Sequence, residues 1–240
     1  SGLGQKSDAP LRALPGAAHA AGQPGDPGVF IPGDSCDSEG DFALLLGRID
    51  SKQSEKVRSD SAPLPVFNEE RALMFNILCV GDVVGSIGCE FLRRHLPELR
   101  RIKGIDLCIV NGENSADGNG ITPNSLRHLL DSGADIVTTG NHSFRRKESY
   151  SLYEEREDLL RPANYPDAAP GRGVAVVDLG RVQAAVINLM GTVYLESLQS
   201  PFEALDGILK NPELPKLKIL DFHAEATGEK RAMGFFADGR

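Results

Sequence analysis

From Met74 onward the chain alternates between short apolar runs and amphipathic stretches, each closed by glycine or a polar cluster. "FNILCVG" (75–81), "IDLCIVNG" (105–112) and "ADIVTTG" (134–140) are continuous apolar runs, the pattern of buried strands. Between them, "SIGCEFLRRHLPELRR" (86–101) predicts a helix with Ser86 as its cap and Pro97 as a kink or break. "TPNSLRHLLDSG" (122–133) predicts a shorter helix, with Thr122 as N-cap, Pro123 in the first helical position and Gly133 as the stop. "RRKESYSLYEERED" (145–158) is charged and helix-prone, so Arg145 and Arg146 are expected to open a solvated helix. "GVAVVDLG" and "VQAAVINLM" predict two strands joined in a hairpin near Gly180 and Arg181. A helix ("SPFEALDGILKN"), a strand ("LKILDF") and a last helix ("EATGEKRAMGFFAD") complete the pattern. Strands alternating with helices predict an α/β layered fold, and the hairpin makes its mainly parallel sheet mixed.

Residues 1–73 are different in kind. They are rich in Gly, Pro, Ala, Ser and Asp and follow neither apolar period. Such a segment buries too little apolar surface to offset its ordering entropy, so it is expected to be a disordered extension to a domain spanning 74–240. The hydrophobic fraction of the 240 residues, 40%, fits a chain of which part contributes no core. A formal net charge of −8 argues against a general nucleic-acid surface. No run approaches the ~20 apolar residues of a membrane span. Cys36, Cys79, Cys89 and Cys108 show no C-x-x-C spacing, which suits free thiols in a reducing cytoplasm.

The candidate chemistry lies where the strands end. In α/β sheets, ligands bind beyond the carboxyl ends of the strands. The first strand of the domain ends in Gly81-Asp82, the second in Asn111-Gly112-Glu113-Asn114, and the third in Gly140-Asn141-His142. The late strand ends in Asp221-Phe222-His223. Carboxylate, amide oxygen and imidazole together suit Mn, Fe or Zn ions, and Glu113 is the candidate to bridge two of them. Each residue has a plainer reading: Asp as a turn residue, Gly-Asn as a turn dipeptide, His as a structural side chain. Four such strand ends together favour a site. His19, His95 and His128 lie outside it.

"GDVVGSIG", "NGENSADGNGITP", "TTGNHSF", "LLRPANYP", "VINLMG" and "DFHAEATGEK" together resemble the YmdB-type bacterial phosphodiesterases, members of the calcineurin-like metallophosphoesterases. The resemblance runs from about Met74 to Arg240. It implies a calcineurin-like layered α/β sandwich and a dinuclear metal site that hydrolyses small phosphodiesters such as cyclic nucleotides. Carried over by motif, it makes Asp82, Glu113, Asn114, Asn141 and His223 metal ligands, with Glu113 bridging. It makes His142 the general acid for the leaving group. The metals implied are two divalent ions, Fe or Mn first, then Mg or Zn. The cysteine usage and the apolar runs point to a cytoplasmic protein without a membrane partner, and the resemblance allows a homo-oligomer.

Two departures accompany it. The family carries Trp-Asp soon after Gly-Asn-His, where this chain reads Ser143-Phe144-Arg145-Arg146. The family also completes its site with a Gly-Thr-His-Thr-His segment beyond "DGR", which here is Asp238-Gly239-Arg240. A C-terminally truncated chain, with weak metal binding and poor activity by itself, is the corresponding expectation. The competing readings are a non-catalytic regulatory or interaction protein that keeps the fold, and a dinucleotide-binding domain. "GDVVGSIG" lacks the G-x-G-x-x-G spacing that the last requires.

Overall fold

The computed structural model describes residues 44–50 and 74–240. The strands form two sheets. The first contains β1 (Leu44–Asp50), β2 (Met74–Val80), β3 (Leu107–Asn111), β4 (Ile136–Thr138) and β5 (Leu159–Leu160), in that order. From β2 to β5 all neighbours are parallel, while β1 runs antiparallel to β2. The second contains β6 (Val174–Asp178), β7 (Gln183–Met190) and β8 (Leu217–His223). The hairpin β6–β7 is antiparallel, as expected, and β7–β8 is parallel.

Helices α1 (Gly85–Lys103), α2 (Pro123–Asp131) and α3 (Ser149–Glu155) follow β2, β3 and β4. Leu92 and Leu96 of α1, Leu126 and Leu129 of α2 and Tyr153 of α3 share one core with Leu78, Val80, Cys108, Val110 and Val137 of the first sheet. The other face of that sheet offers Ile77, Leu107, Ile109 and Ile136 to Ala175 and Val186 of the second. Helices α4 (Pro201–Leu209) and α5 (Thr227–Ala237) follow β7 and β8. Leu205 and Met233 from these helices pack with Ile187 and Leu189 of β7. The layers are therefore helix, sheet, sheet, helix. All five residues of β3 are buried, which explains its unbroken apolar run.

Three local expectations change. Ser86 does not cap α1: the N-cap is Val84, with no side-chain cap bond. The amide of Gly85, at φ 59°, instead donates to the Asn114 carbonyl at 2.9 Å. Pro97 lies inside α1 without ending it. Pro97 is exposed, so the Arg93 carbonyl that loses its helical donor can turn to water. Arg145 and Arg146 do not open a helix, since α3 starts only at Ser149. Serine side chains compete there for the backbone. Ser143 Oγ donates to the Gly140 carbonyl at 2.6 Å, and Ser149 Oγ to the Arg146 carbonyl at 2.7 Å. In α2 the expected start holds, with Thr122 accepting from the Ser125 amide and Pro123 in the first turn.

Leu44–Asp50 falls in the segment expected to contribute no element, yet it pairs with β2 along all seven residues. The rest of the proposed extension lies outside the described residues. Cys89 and Cys108 are buried and Cys79 is partly buried, all as free thiols, while Cys36 lies outside the described residues. Among the described residues, no helix is long and apolar enough to cross a membrane.

The two sheets are tied by polar contacts as well as apolar ones. Asn188, in the middle of β7 and fully buried, donates to the carbonyls of Thr139 at 2.7 Å and Leu160 at 3.1 Å. Asn188→Ala leaves the Thr139 carbonyl without that donor. It should destabilise the fold by roughly 1–3 kcal/mol, read as a lower urea midpoint at unchanged slope. An unchanged midpoint would show that the tie contributes nothing.

Candidate active site

Each candidate residue stands at or just past a strand end, and both sheets contribute to the same edge. Asp82 follows β2, and Glu113 and Asn114 follow β3. Asn141 and His142 follow β4, and His223 is the last residue of β8. The backbone locks these loops together. The Val83 amide donates to the Asn111 carbonyl at 3.0 Å, and the Gly112 amide to the Thr138 carbonyl at 2.9 Å.

The side chains form one connected set. Asn114 Nδ2 donates to Asp82 Oδ2 at 2.8 Å, while Asn114 Oδ1 lies 2.5 Å from His142 Nδ1. With its amide nitrogen committed to Asp82, Asn114 can only accept from His142. Nδ1 of His142 therefore carries the proton, and Nε2 is left for exchange. His142 is also fixed through its backbone amide, which donates to Glu113 Oε2 at 3.1 Å. Across the edge, His223 Nε2 lies 2.8 Å from Asn141 Oδ1 and 3.3 Å from Glu113 Oε1. Gly140 makes this approach possible. A Cβ there would stand 2.4 Å from the His223 ring and 2.6 Å from Glu113 Oε2.

The electrostatics are unbalanced. Glu113 is only 2% exposed. Burial first, with repulsion from Asp82 and Asp221, lifts its carboxyl to about 7, against the His142 amide and His142 charge that lower it. Burial also raises Asp221, although the Thr138 hydroxyl donates to it. Burial pushes His223 down, towards its neutral form, against the attraction of Asp221 and Asp82. Among the described residues, no Lys or Arg makes an ion pair with Asp82, Glu113 or Asp221.

This donor set fits a cation. Donors ~2.1 Å from a common ion at right angles stand about 3 Å apart, close to the spacings among Glu113, His223 and Asn141. Among the described residues, no group of three or more His, Cys, Asp and Glu side chains is placed to hold an ion by itself. A cation held here would need the amide oxygens of Asn141 and Asn114 as well. Two cavities of about 470 Å³, one beside α4 and one beside α1, include none of these six residues in their walls.

The model of the YmdB-like protein family matches residues 78–240. The chain belongs to this family. The YmdB-like chain is 41% identical over 165 residues to a 2',3'-cyclic-nucleotide 2'-phosphodiesterase of Bacillus subtilis, a match covering 68% of this chain and 62% of that protein. Among solved structures, it is similar to a hypothetical protein from Thermus thermophilus, with a TM-score of 0.65 and 39% identity over 68% of this chain and 64% of the other. A phosphatase from Mycoplasma pneumoniae also has a TM-score of 0.65, at 31% identity over 69% of this chain and 60% of the other. The YmdB-like chain thus spans about three fifths of the length of the curated relatives it matches. These likenesses agree with the layered α/β fold expected from the motifs.

Several residues that shape the edge were not singled out from the sequence, although they lie inside motifs that carry the resemblance. Asn164 of "LLRPANYP" donates to the Met190 carbonyl at 2.7 Å and accepts from the Met190 amide at 2.9 Å. Asn188 belongs to "VINLMG" and Glu229 to "DFHAEATGEK". Arg146, expected in a solvated helix, instead braces the loop after Asn114, donating to the carbonyls of Asn119 at 2.8 Å and Ala116 at 3.0 Å.

The raised Glu113 carboxyl has a stability consequence. Its folded value lies above the unfolded one, so its contribution to stability is full below about pH 4.5 and is lost as pH rises through about 7. His223, held neutral, works in the opposite sense as pH falls, so the Glu113 share must be read by difference. In metal-free protein, the melting temperature of wild type should fall between pH 5 and 8 more steeply than that of Glu113→Gln. Parallel pH profiles for the two proteins would show that Glu113 titrates like an ordinary exposed carboxylate.

Proposed function

We propose that this chain carries the greater part of a metal-dependent phosphodiesterase site acting on small diesters such as cyclic nucleotides. The observation that supports this most is the convergence at one edge of two carboxylates, two amides and two imidazoles, with His142 fixed through Asn114 to Asp82. The printed activity of the Bacillus subtilis relative points the same way.

In this reading Asp82, Glu113, Asn114, Asn141 and His223 would hold two divalent ions. Fe or Mn suits the mixed oxygen and nitrogen donors, with Mg or Zn as alternatives. When bound, the ions supply positive charge against the phosphate and a lowered pKa for the attacking water. The protein's own work is positioning. Glu113 is anchored by the His142 amide and His223, so its carboxylate is preorganised. Asn114 uses its nitrogen on Asp82 and has two lone pairs on oxygen, one for His142 and one for a cation. His142, its Nδ1 proton held by Asn114, delivers a proton from Nε2 to the departing alkoxide. Ions at the edge also offset the repulsion between an acidic protein and an anionic substrate.

The test uses the full-length protein with Mn²⁺ and a nucleoside 2',3'-cyclic phosphate. Turnover should disappear with a chelator and return with metal. Glu113→Ala should lose bound metal and activity together. His142→Gln should keep its metal and lose on the order of 10²–10⁴ in kcat. Full turnover by Glu113→Ala at unchanged metal content would remove the proposed role of this cluster.

A further inference from the structure

The loop that follows β7, residues 191–199, crosses the same edge and has no part in the chemistry described so far. Its first residue, Gly191, continues the β7–β8 ladder, with its amide donating to the His223 carbonyl at 2.8 Å. Its start is clamped by Glu229 of α5, a buried carboxylate that accepts from the amides of Thr192 at 2.9 Å and Val193 at 3.3 Å. Gly191 is required for this contact, because a Cβ there would stand 2.2 Å from Glu229 Oε2. Its end is clamped by Asn164, which donates to the Gln199 carbonyl at 3.1 Å. Its middle reaches the His142 side of the edge, where Glu196 lies 3.8 Å from Arg145 Nη2 and accepts from Tyr165 Oη at 3.5 Å. The loop therefore bridges from His223 on one side of the candidate site to the segment just after His142 on the other.

Between the clamps stands Tyr194, which is 88% exposed. Its φ is 65°, a left-handed conformation that a bulky residue adopts only when its surroundings impose it. Asp117 is the other non-glycine residue with positive φ among the described residues, and it lies in the loop after Asn114. A large aromatic ring is thus held away from any core on a loop fixed at both ends. It is four residues past Met190, the register partner of His223, so its backbone lies within roughly 14 Å of that strand end.

We propose that Tyr194 is a specificity residue that stacks on the base of a nucleotide whose phosphate sits at the candidate site. This rests on the phosphodiesterase reading for the position of the phosphate. An exposed ring offers a π-face that any base can cover, and the clamps remove the entropy cost of ordering the loop on binding. The Arg145–Glu196 pair links the middle of the loop to the segment just after His142. Tyr194 tunes substrate affinity and leaves the chemical step alone.

The experiment compares wild type, Tyr194→Ala and Tyr194→Phe in the full-length, metal-replete protein. Two cyclic diesters are used, adenosine 2',3'-cyclic phosphate and glycerol 1,2-cyclic phosphate, which has no base. Tyr194→Ala should raise KM for the nucleotide by on the order of tenfold, with kcat and the glycerol diester unaffected, and Tyr194→Phe should match wild type. Equal losses on both diesters would assign Tyr194 a structural role and overturn the proposal, as would an unchanged nucleotide KM. Calorimetric binding of adenosine 3'-monophosphate gives a readout that does not depend on turnover. If wild type hydrolyses neither diester, the phosphodiesterase reading fails, and weaker nucleotide binding by Tyr194→Ala still supports the base platform. Equal binding by the two proteins removes it.

Discussion

The alignment of the two sheets is the constraint on which the site depends. Asp82, Glu113, Asn114, Asn141 and His142 come from the first sheet, whereas His223 comes from the second. Apolar packing between sheets is non-directional and would tolerate a slip. Hydrogen bonds would not. Asn188 grips the carbonyls of Thr139 and Leu160, and the Thr138 hydroxyl donates to the Asp221 carboxyl. These contacts join β4 to β7 and β8 within three residues of Asn141 and His223. Asn188 and Thr138 are fully buried, so a shift of one sheet against the other would leave several polar groups unsatisfied at once. The same contacts that fix the fold therefore fix the distance between Glu113 and His223.

The site works against the stability that this frame supplies. Glu113 is buried with Asp82 and Asp221 nearby, and among the described residues no Lys or Arg pairs with them. A carboxylate in that position is costly when ionised. Protonation relieves the cost in the absence of an ion, and a divalent ion relieves it otherwise. A fold that invests in rigid inter-sheet hydrogen bonds can hold such a cluster in place despite that cost. Gly140 adds to this, because its missing Cβ is the space that the His223 ring occupies.

Much of this was legible in the sequence, for identifiable reasons. Apolar runs ending in Asp, Glu-Asn, Asn-His and His marked the strand ends, because parallel strands buried on both faces tolerate polar residues only where they emerge. The cap of α2 was readable from Thr122-Pro123, since capping is local chemistry. What could not be read were the non-local facts. β1 lies in a glycine- and proline-rich neighbourhood whose composition hides a short strand, and its register is set by β2 rather than by its own pattern. The division into two sheets was also hidden, because β7 is buried on both faces like a strand of the first sheet. Arg146 looked like one more charge on a solvated helix. Its role as a brace depends on carbonyls at positions 116 and 119, which no local pattern reveals. Asn164, Asn188 and Glu229 are single polar residues in apolar or helical settings, and only the fold shows what they hold.

Those hidden residues share a task, and it bears on how the edge is organised. Glu229 and Asn164 hold the two ends of the 191–199 loop, while Arg146 holds the loop after Asn114. The non-glycine left-handed residues among those described, Asp117 and Tyr194, lie on these two braced loops. Such conformations cost of order 1–3 kcal/mol each and persist only where the surroundings over-determine them. A loop free to relax would have no reason to keep Tyr194 at φ 65° with its ring in water. The braces give that reason: both loops are fixed by hydrogen bonds around the acidic edge. A loop fixed in this way has little left to order on binding, so ordering it would cost little affinity for any ligand met there.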